Sequence, residues 1–300
     1  MNYFTSWLHA MRLRTLPLAL SSIALGSFMA VAENRFSWLI FFLASGTTVL
    51  LQILSNLAND YGDFIKGTDT KDRIGPKRMV TEGLISPAQM RLAIIVVVIL
   101  ALATGSALIF VGTGGIGISS KVIYFVLGIA SIIAAIKYTV GKRPYGYHGF
   151  GDIFVFIFFG LVGVLGSFYL YTHSFRWSLV LPATSIGLLS AGVLNLNNMR
   201  DYVNDKQAKK RTLVVLMGSN NAKYYHLALI IGAFLATFVY TMLNFKSPYQ
   251  FLFFLAAPLC IQDIKRVFQN TQPIELNGEL RKLALSTLLF SVTFGVGLIF

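Results

Sequence analysis

The chain has 300 residues, 55% of them hydrophobic and 12% charged, with a formal net charge of +13 and a mean hydropathy of +0.68. Soluble domains run nearer to about 45–50% apolar, so an ordinary soluble globule is excluded. The single cysteine, Cys260, excludes an internal disulfide and a cysteine-built zinc site. Apolar runs then predict membrane spans, in chain order, at about Leu16–Val31, Trp38–Leu57, Leu92–Val111, Val122–Ile136, Ile153–Tyr171, Leu179–Leu196, Tyr225–Leu243, Tyr249–Ile264 and Leu283–Phe300. Most approach the roughly 20 residues that carry a helix across the hydrocarbon core, and the fourth and eighth are short. The expectation is an all-α, polytopic membrane protein, one domain over residues 1–300, with about nine helices around a central cavity. Arg12, Arg14, an apolar stretch and Ala30-Val31-Ala32 imitate a secretory signal. With eight more spans behind it, the first is read as an uncleaved helix.

The basic charge would suit nucleic acid, but its distribution argues for no nucleic-acid partner. With the N-terminus in the cytoplasm and alternating spans, 21 of the 25 Lys/Arg fall on the cytoplasmic side; Arg35, Lys121, Arg176 and Lys246 do not. This is the positive-inside bias; the expectation is a multi-pass protein of the bacterial inner membrane with its active site facing the cytoplasm. All the acids except Glu33 share the cytoplasmic side. Acids contribute little to orientation, so that face uses carboxylates and cations together.

Two polar clusters sit at helix ends on that face. The second span runs into Ser55-Asn56-Leu57-Ala58-Asn59-Asp60-Tyr61-Gly62-Asp63, which at about 100° per residue puts Asn56, Asp60 and Asp63 on one face. The sixth ends Asn195-Leu196-Asn197-Asn198-Met199-Arg200-Asp201-Tyr202-Val203-Asn204-Asp205, with Asn197, Asp201 and Asp205 at i, i+4, i+8. Their likeness reads as a weak duplication of residues 38–69 and 179–211. Like charges at this spacing destabilise a helix, so a compensating cation is expected. Mg²⁺, commonly held by one or two carboxylates plus substrate phosphates, fits. Basic residues follow each cluster: Lys66, Lys71, Arg73, Lys77 and Arg78, then Lys206, Lys209, Lys210 and Arg211, with Lys142 and Arg143 between spans four and five. Acids for metal and bases for phosphate together describe a diphosphate site. Solvated helix caps are the bland alternative. An ion-coupled transporter is the rival from another class, but transporter sites lie near the midplane.

At these residues the sequence resembles the intramembrane aromatic prenyltransferases, the UbiA superfamily typified by 4-hydroxybenzoate polyprenyltransferase. The family's first aspartate motif falls on Asn59, Asp60 and Asp63, with its last Asp replaced by Gly67 and Asp69 following. A Tyr-x-x-x-Lys element falls on Tyr138 and Lys142, and a second Asp-x-x-x-Asp on Asp201 and Asp205. Asn59–Asp69, Asp72–Arg78, Gly83-Leu84-Ile85-Ser86, Arg143-Pro144-x-Gly146-Tyr147, Gly149-x-Gly151 and Asn195–Asp201 are similar to the branch that acts on 1,4-dihydroxy-2-naphthoate, where Gly67 is normal. The resemblance implies Mg²⁺, or Mn²⁺ in its place, on Asp60, Asp63, Asp201 and Asp205, with Tyr138 and Lys142 also catalytic. It implies substrate contacts from Asn56, Asn59, Lys66, Asp69, Arg73, Arg78, Arg143, Asn197, Asn198, Arg200 and Arg211. The partners would be a polyprenyl diphosphate, the naphthoate and the lipid bilayer. Diphosphate and CO₂ would leave, giving demethylmenaquinone; 4-hydroxybenzoate or homogentisate is the alternative acceptor.

Other polar and glycine-rich features of the chain carry no comparable signal. Gly112-Thr113-Gly114-Gly115-Ile116-Gly117 fits a dinucleotide fingerprint, but it lacks the strand–turn–helix context and is read as a turn. His9, His148, His173 and His226 show no metal-ligand spacing. Asp152 opens the fifth span, where the helix dipole favours a carboxylate.

Overall fold

The computed structural model describes residues 2–69 and 74–300. Arg73, one of the expected substrate contacts, lies outside the described residues. These are helical, with no strand among them. A short helix α1 (Tyr3–Met11) is capped by Asn2, whose Oδ1 accepts the Thr5 N–H. Arg12 then turns left-handed at φ 50°, and Pro17 in the first turn of α2 (Leu16–Ala32) starts the next helix. There follow α3 (Trp38–Ile65), α4 (Pro87–Gly112), α5 (Ile118–Lys137), α6 (Gly151–Thr172) and α7 (Trp177–Arg200). Short helices α8 (Tyr202–Gln207) and α9 (Leu213–Met217) lead to α10 (Ser219–Leu243). The chain ends with α11, a 3-10 stretch Pro248–Ala256 continuing as Ala257–Gln269, and α12 (Pro273–Ile299).

Eight helical segments among the described residues are long and apolar enough to cross a membrane: α1 with α2, then α3 to α7, α10 and α12. The expected eighth span is α11. Gln262, Asp263, Lys265 and Arg266 dilute its second half, but its 3-10 half rises about 2.0 Å per residue instead of 1.5. Its 22 residues therefore reach roughly 37 Å, enough for a pass. The glycine-rich segment after α4 is a turn, as expected, with Gly115 at φ 80°.

Two packed bodies make the core. One gathers Leu25, Phe168, Ile186, Leu189, Phe253 and Phe290 from α2, α6, α7, α11 and α12. The other gathers Ala10, Leu54, Leu57, Met90, Val97 and Ile132 from α1, α3, α4 and α5. Small residues let backbones approach where α6 crosses α7: a Cβ on Gly160 would stand 2.7 Å from the Gly187 Cα. Residues Phe156–Gly166 of α6 wind as a π-helix, which loosens the usual ladder. Hydroxyls take up carbonyls along it. Ser22 Oγ donates to Phe159 O at 2.5 Å, Ser167 Oγ to Gly163 O at 2.6 Å and Tyr124 OH to Gly166 O at 2.8 Å. Such compensation is what apolar surroundings demand. On the side opposite the aspartates, Arg176 grips Glu33 with two bonds of 2.6 and 2.7 Å. The lone acid on that side thus meets one of its few cations.

Candidate functional site

Helix α3 runs unbroken to Ile65, so Asn56, Asn59, Asp60 and Asp63 share one helix as expected. Gly62 allows the segment just after α5 to close on it, because a Cβ there would meet Thr139 Oγ1 at 2.5 Å. Thr139 Oγ1 donates to Ala58 O at 3.0 Å. Asn56 pins the α1–α2 bend, donating to Met11 O and Thr15 Oγ1 at 2.9 and 3.0 Å. Asp60 turns to the following loop, accepting the N–H groups of Met79 and Val80 at 3.0 and 3.2 Å. The helix ends in a Schellman motif: Gly67 N–H reaches Phe64 O, and Thr68 N–H reaches Asp63 O, both at 3.0 Å. Gly67 stands at φ 66°, which accounts for glycine where the wider family pattern has an aspartate. The reversal returns Asp69 to the site, where Arg78 bridges it to Asp63 with two 2.9 Å contacts.

The second cluster departs from expectation. Asn197, Asp201 and Asp205 do not share one continuous helix, because α7 ends at Arg200 and α8 starts at Tyr202. The buried Arg200 holds the break: it clasps both oxygens of Asp201 at 2.8 and 2.7 Å and also bonds Asn197 and Asn277. Asn198 is buried beside it. After α8 a second Schellman motif turns on Lys209 at φ 56°, with Lys210 N–H on Asp205 O at 2.8 Å. It turns Lys210 inward. Its ammonium lies 3.7 Å from Asp63 Oδ1 and 3.8 Å from Asp205 Oδ1, joining the two motifs. Lys206 and Lys209 stay exposed.

The loop after α5 supplies the third wall. Tyr138 is within electrostatic reach of Asp152, Asp205, Asp63 and Asp201; burial, then those carboxylates, raise its pKa well above the ordinary value. Gly146 N–H returns to Tyr138 O at 3.1 Å. Tyr147 bonds Asp63 Oδ1 at 2.8 Å. Lys142, Arg143 and Arg211 are exposed, as is Lys66, whose ammonium sits over the Tyr147 ring. The structure does not bring these four cations into the cavity. His148 Nδ1 bonds Pro144 O at 2.9 Å, an interfacial contact, and Asp152 accepts from Tyr225 at 3.3 Å.

Between the two packed bodies lies a cavity of about 370 Å³. Arg12, Asn59, Asp63, Arg78, Asn197 and Lys210 line its polar end; Leu18, Ile23, Leu108, Leu127, Phe158 and Val162 line the rest. On α3 the lining runs from Ala44 to Asp63, an axial length of about 28 Å. Arg78 is buried, and its Nη1 has no hydrogen-bond partner among the described residues. A guanidinium nitrogen left so is poised for an anion. The sequence does not mark Lys210 or Arg12 as site residues. Nothing in the spacing separates Lys210 from Lys206 and Lys209; the left-handed turn at Lys209 does.

Residues 19–277 match the UbiA prenyltransferase family. The chain belongs to that family. It is 43% identical over 293 residues to a 1,4-dihydroxy-2-naphthoate octaprenyltransferase of Escherichia coli, covering 98% of this chain and 94% of that one. A protein of the same name from Mycobacterium tuberculosis is 33% identical over 300 residues, covering 100% and 99%. Among solved structures, a UbiA homologue from Archaeoglobus fulgidus bound to GPP and Mg²⁺ has a TM-score of 0.69 at 17% identity, covering 98% and 99%. An apo UbiA homologue from Aeropyrum pernix has 0.65 at 15%, covering 96% and 98%. The protein is thus a multi-pass membrane prenyltransferase.

Among the described residues of this prenyltransferase, no three His, Cys, Asp or Glu side chains converge as a metal-holding group. Backbone N–H groups take Asp60, Arg200 takes Asp201, and Lys210 stands between Asp63 and Asp205. The donor chemistry nonetheless fits a divalent cation. Two hard carboxylates from different motifs face one positive group, and Mg²⁺ asks for one or two carboxylates with phosphate completing its shell.

Proposed function

We propose that this enzyme transfers a polyprenyl group from its diphosphate to 1,4-dihydroxy-2-naphthoate, releasing diphosphate and CO₂ and forming the quinol of demethylmenaquinone, which a separate two-electron oxidation would convert to the quinone, with the site facing the cytoplasm. The cavity carries the reading: apolar for most of about 28 Å, it is closed at one end by Asp63, Arg78 and Lys210. A long isoprenoid with a diphosphate head has that shape and charge. The names of the relatives support the naphthoate acceptor.

Arg78 Nη1 and the Lys210 ammonium would bind the diphosphate oxygens, leaving Asp63 and Asp205 to hold Mg²⁺. The metal supplies positive charge to the departing diphosphate. Breaking the C1–O bond leaves an allylic cation, and the rings of Tyr138, Tyr145 and Phe154 line that part of the cavity. Tyr145 and Phe154 stack at 3.9 Å, and their faces suit a nearby cation. Burial raises the Tyr145 hydroxyl pKa as well as that of Tyr138, so both phenols stay protonated and neither competes as an anion for the cation. The acceptor ring attacks C1, and loss of CO₂ restores its aromaticity.

The test is purified protein in detergent with Mg²⁺, a polyprenyl diphosphate and competing acceptors. The expected result is a higher kcat/KM for the naphthoate than for 4-hydroxybenzoate or homogentisate, and no turnover in EDTA. A preference for 4-hydroxybenzoate would overturn the acceptor; turnover in chelator would overturn the metal. For orientation, Lys77→Cys in a Cys260→Ser background should label from the cytoplasmic side; labelling from outside alone would reverse the assignment.

A further inference from the structure

Tyr147 joins three of the loops on the aspartate side: its own, the one after α3 and the one after α8. Its hydroxyl lies 2.8 Å from Asp63 Oδ1 and 2.5 Å from Thr68 Oγ1. Its carbonyl accepts the Arg211 N–H at 3.2 Å. The Lys66 and Lys210 ammoniums sit 5.2 and 5.1 Å from its ring centroid. A carboxylate only accepts, so Tyr147 donates to Asp63 and Thr68 donates to Tyr147. Arg78 holds the other Asp63 oxygen at 2.9 Å, so the carboxylate is fixed at both ends.

We propose that Tyr147 is a positioning residue: its hydroxyl sets the orientation of the Asp63 carboxylate toward the metal, and its ring seats Lys210 between the two aspartate motifs. The inference rests on the metal-dependent reading above. A phenol can do this without adding a charge that would compete for the metal, which a carboxylate or a lysine could not. The ring face offers the ammonium a favourable seat beside the two carboxylates.

The test measures Mn²⁺ binding by electron paramagnetic resonance in the presence of inorganic diphosphate, with no acceptor or prenyl donor present. Tyr147→Phe keeps the ring and removes one bond to a charged group, so Mn²⁺ affinity should fall about tenfold. The apparent KM for Mg²⁺ should rise by the same factor while the melting temperature stays near wild type. In an Asp63→Asn background the same change should add little, because the hydroxyl acts through that carboxylate. Wild-type affinity in Tyr147→Phe, or an equal further loss on top of Asp63→Asn, would overturn the proposal. If Tyr147→Phe fails to fold, Thr68→Val removes only the bond that aims the phenol, and unchanged Mn²⁺ affinity there would overturn it equally. Failure of the wild type to bind Mn²⁺ would instead sink the metal reading itself. A wrong acceptor assignment leaves this assay untouched.

Discussion

Replacing Lys210 by Met removes the cation between the two aspartate motifs while keeping the length of the side chain. The ammonium lies 3.7 and 3.8 Å from two carboxylates, and all three groups are at least nine-tenths buried. At an effective dielectric of about 20, each contact is worth roughly 4 kcal/mol of attraction. Relief from burying the lysine offsets part of this, and Arg78 remains on Asp63. The net loss should be about 3 kcal/mol, at the lower edge of what breaking a buried ion pair brings. At about 2–4 °C per kcal/mol, the melting temperature in EDTA should drop by roughly 6–12 °C. If Mg²⁺ binds the same carboxylates, as proposed, it should raise the melting point of the variant more than that of the wild type. Fluorescence-detected melting in one detergent, with EDTA and with saturating Mg²⁺, reads both effects. A variant that melts within about 2 °C of wild type in EDTA, or gains no more from Mg²⁺, refutes the placement of Lys210 as resting counter-ion.

Asp63→Asn keeps the size of the side chain but removes the charge proposed to hold the metal, and turnover at saturating Mg²⁺ should fall at least about a hundredfold. Asp60→Asn should act on stability too: an amide offers one acceptor oxygen where Met79 and Val80 now use two, a loss of about 1–3 kcal/mol visible in denaturation. Lys209→Gly should stabilise by about 0.5–1 kcal/mol, since a non-glycine residue now occupies a left-handed turn. Turnover should be unchanged, because the Lys209 side chain is exposed.

Much of the fold lay open in one dimension. Long apolar runs are a response to lipid, and lipid acts on each segment separately, so their number and order could be read without knowing their neighbours. The same holds for α3, where Asn56, Asn59, Asp60 and Asp63 follow the helical period on one uninterrupted helix. At Asp201 the helix breaks for one residue, although its N–H still reaches Asn197 O and the Asp205 N–H reaches Asp201 O, and the ion pair beside the break draws on a partner outside the segment. Arg200 reaches Asn277 on α12 as well as its own neighbours, and a local pattern cannot report a partner more than seventy residues away.

The sequence by itself determined that this chain crosses a membrane many times, which face carries its acids and bases, and that two aspartate motifs lie at the ends of α3 and α7. It did not determine which basic residues enter the site. Lys66, Lys142, Arg143, Lys206, Lys209 and Arg211 are exposed, while Arg78 and Lys210 are buried against the carboxylates. All of them satisfy the same orientation rule, so composition cannot rank them. Their fates diverge through backbone turns: the left-handed residues Gly67 and Lys209 reverse the chain, returning Asp69 to Arg78 and Lys210 to the cavity. Tertiary structure also decided that Asp60 serves the loop backbone while Asp63 faces the cavity. A carboxylate three residues along a helix points about 60° away, and only the neighbours packed there settle whether it meets a peptide group or an open pocket.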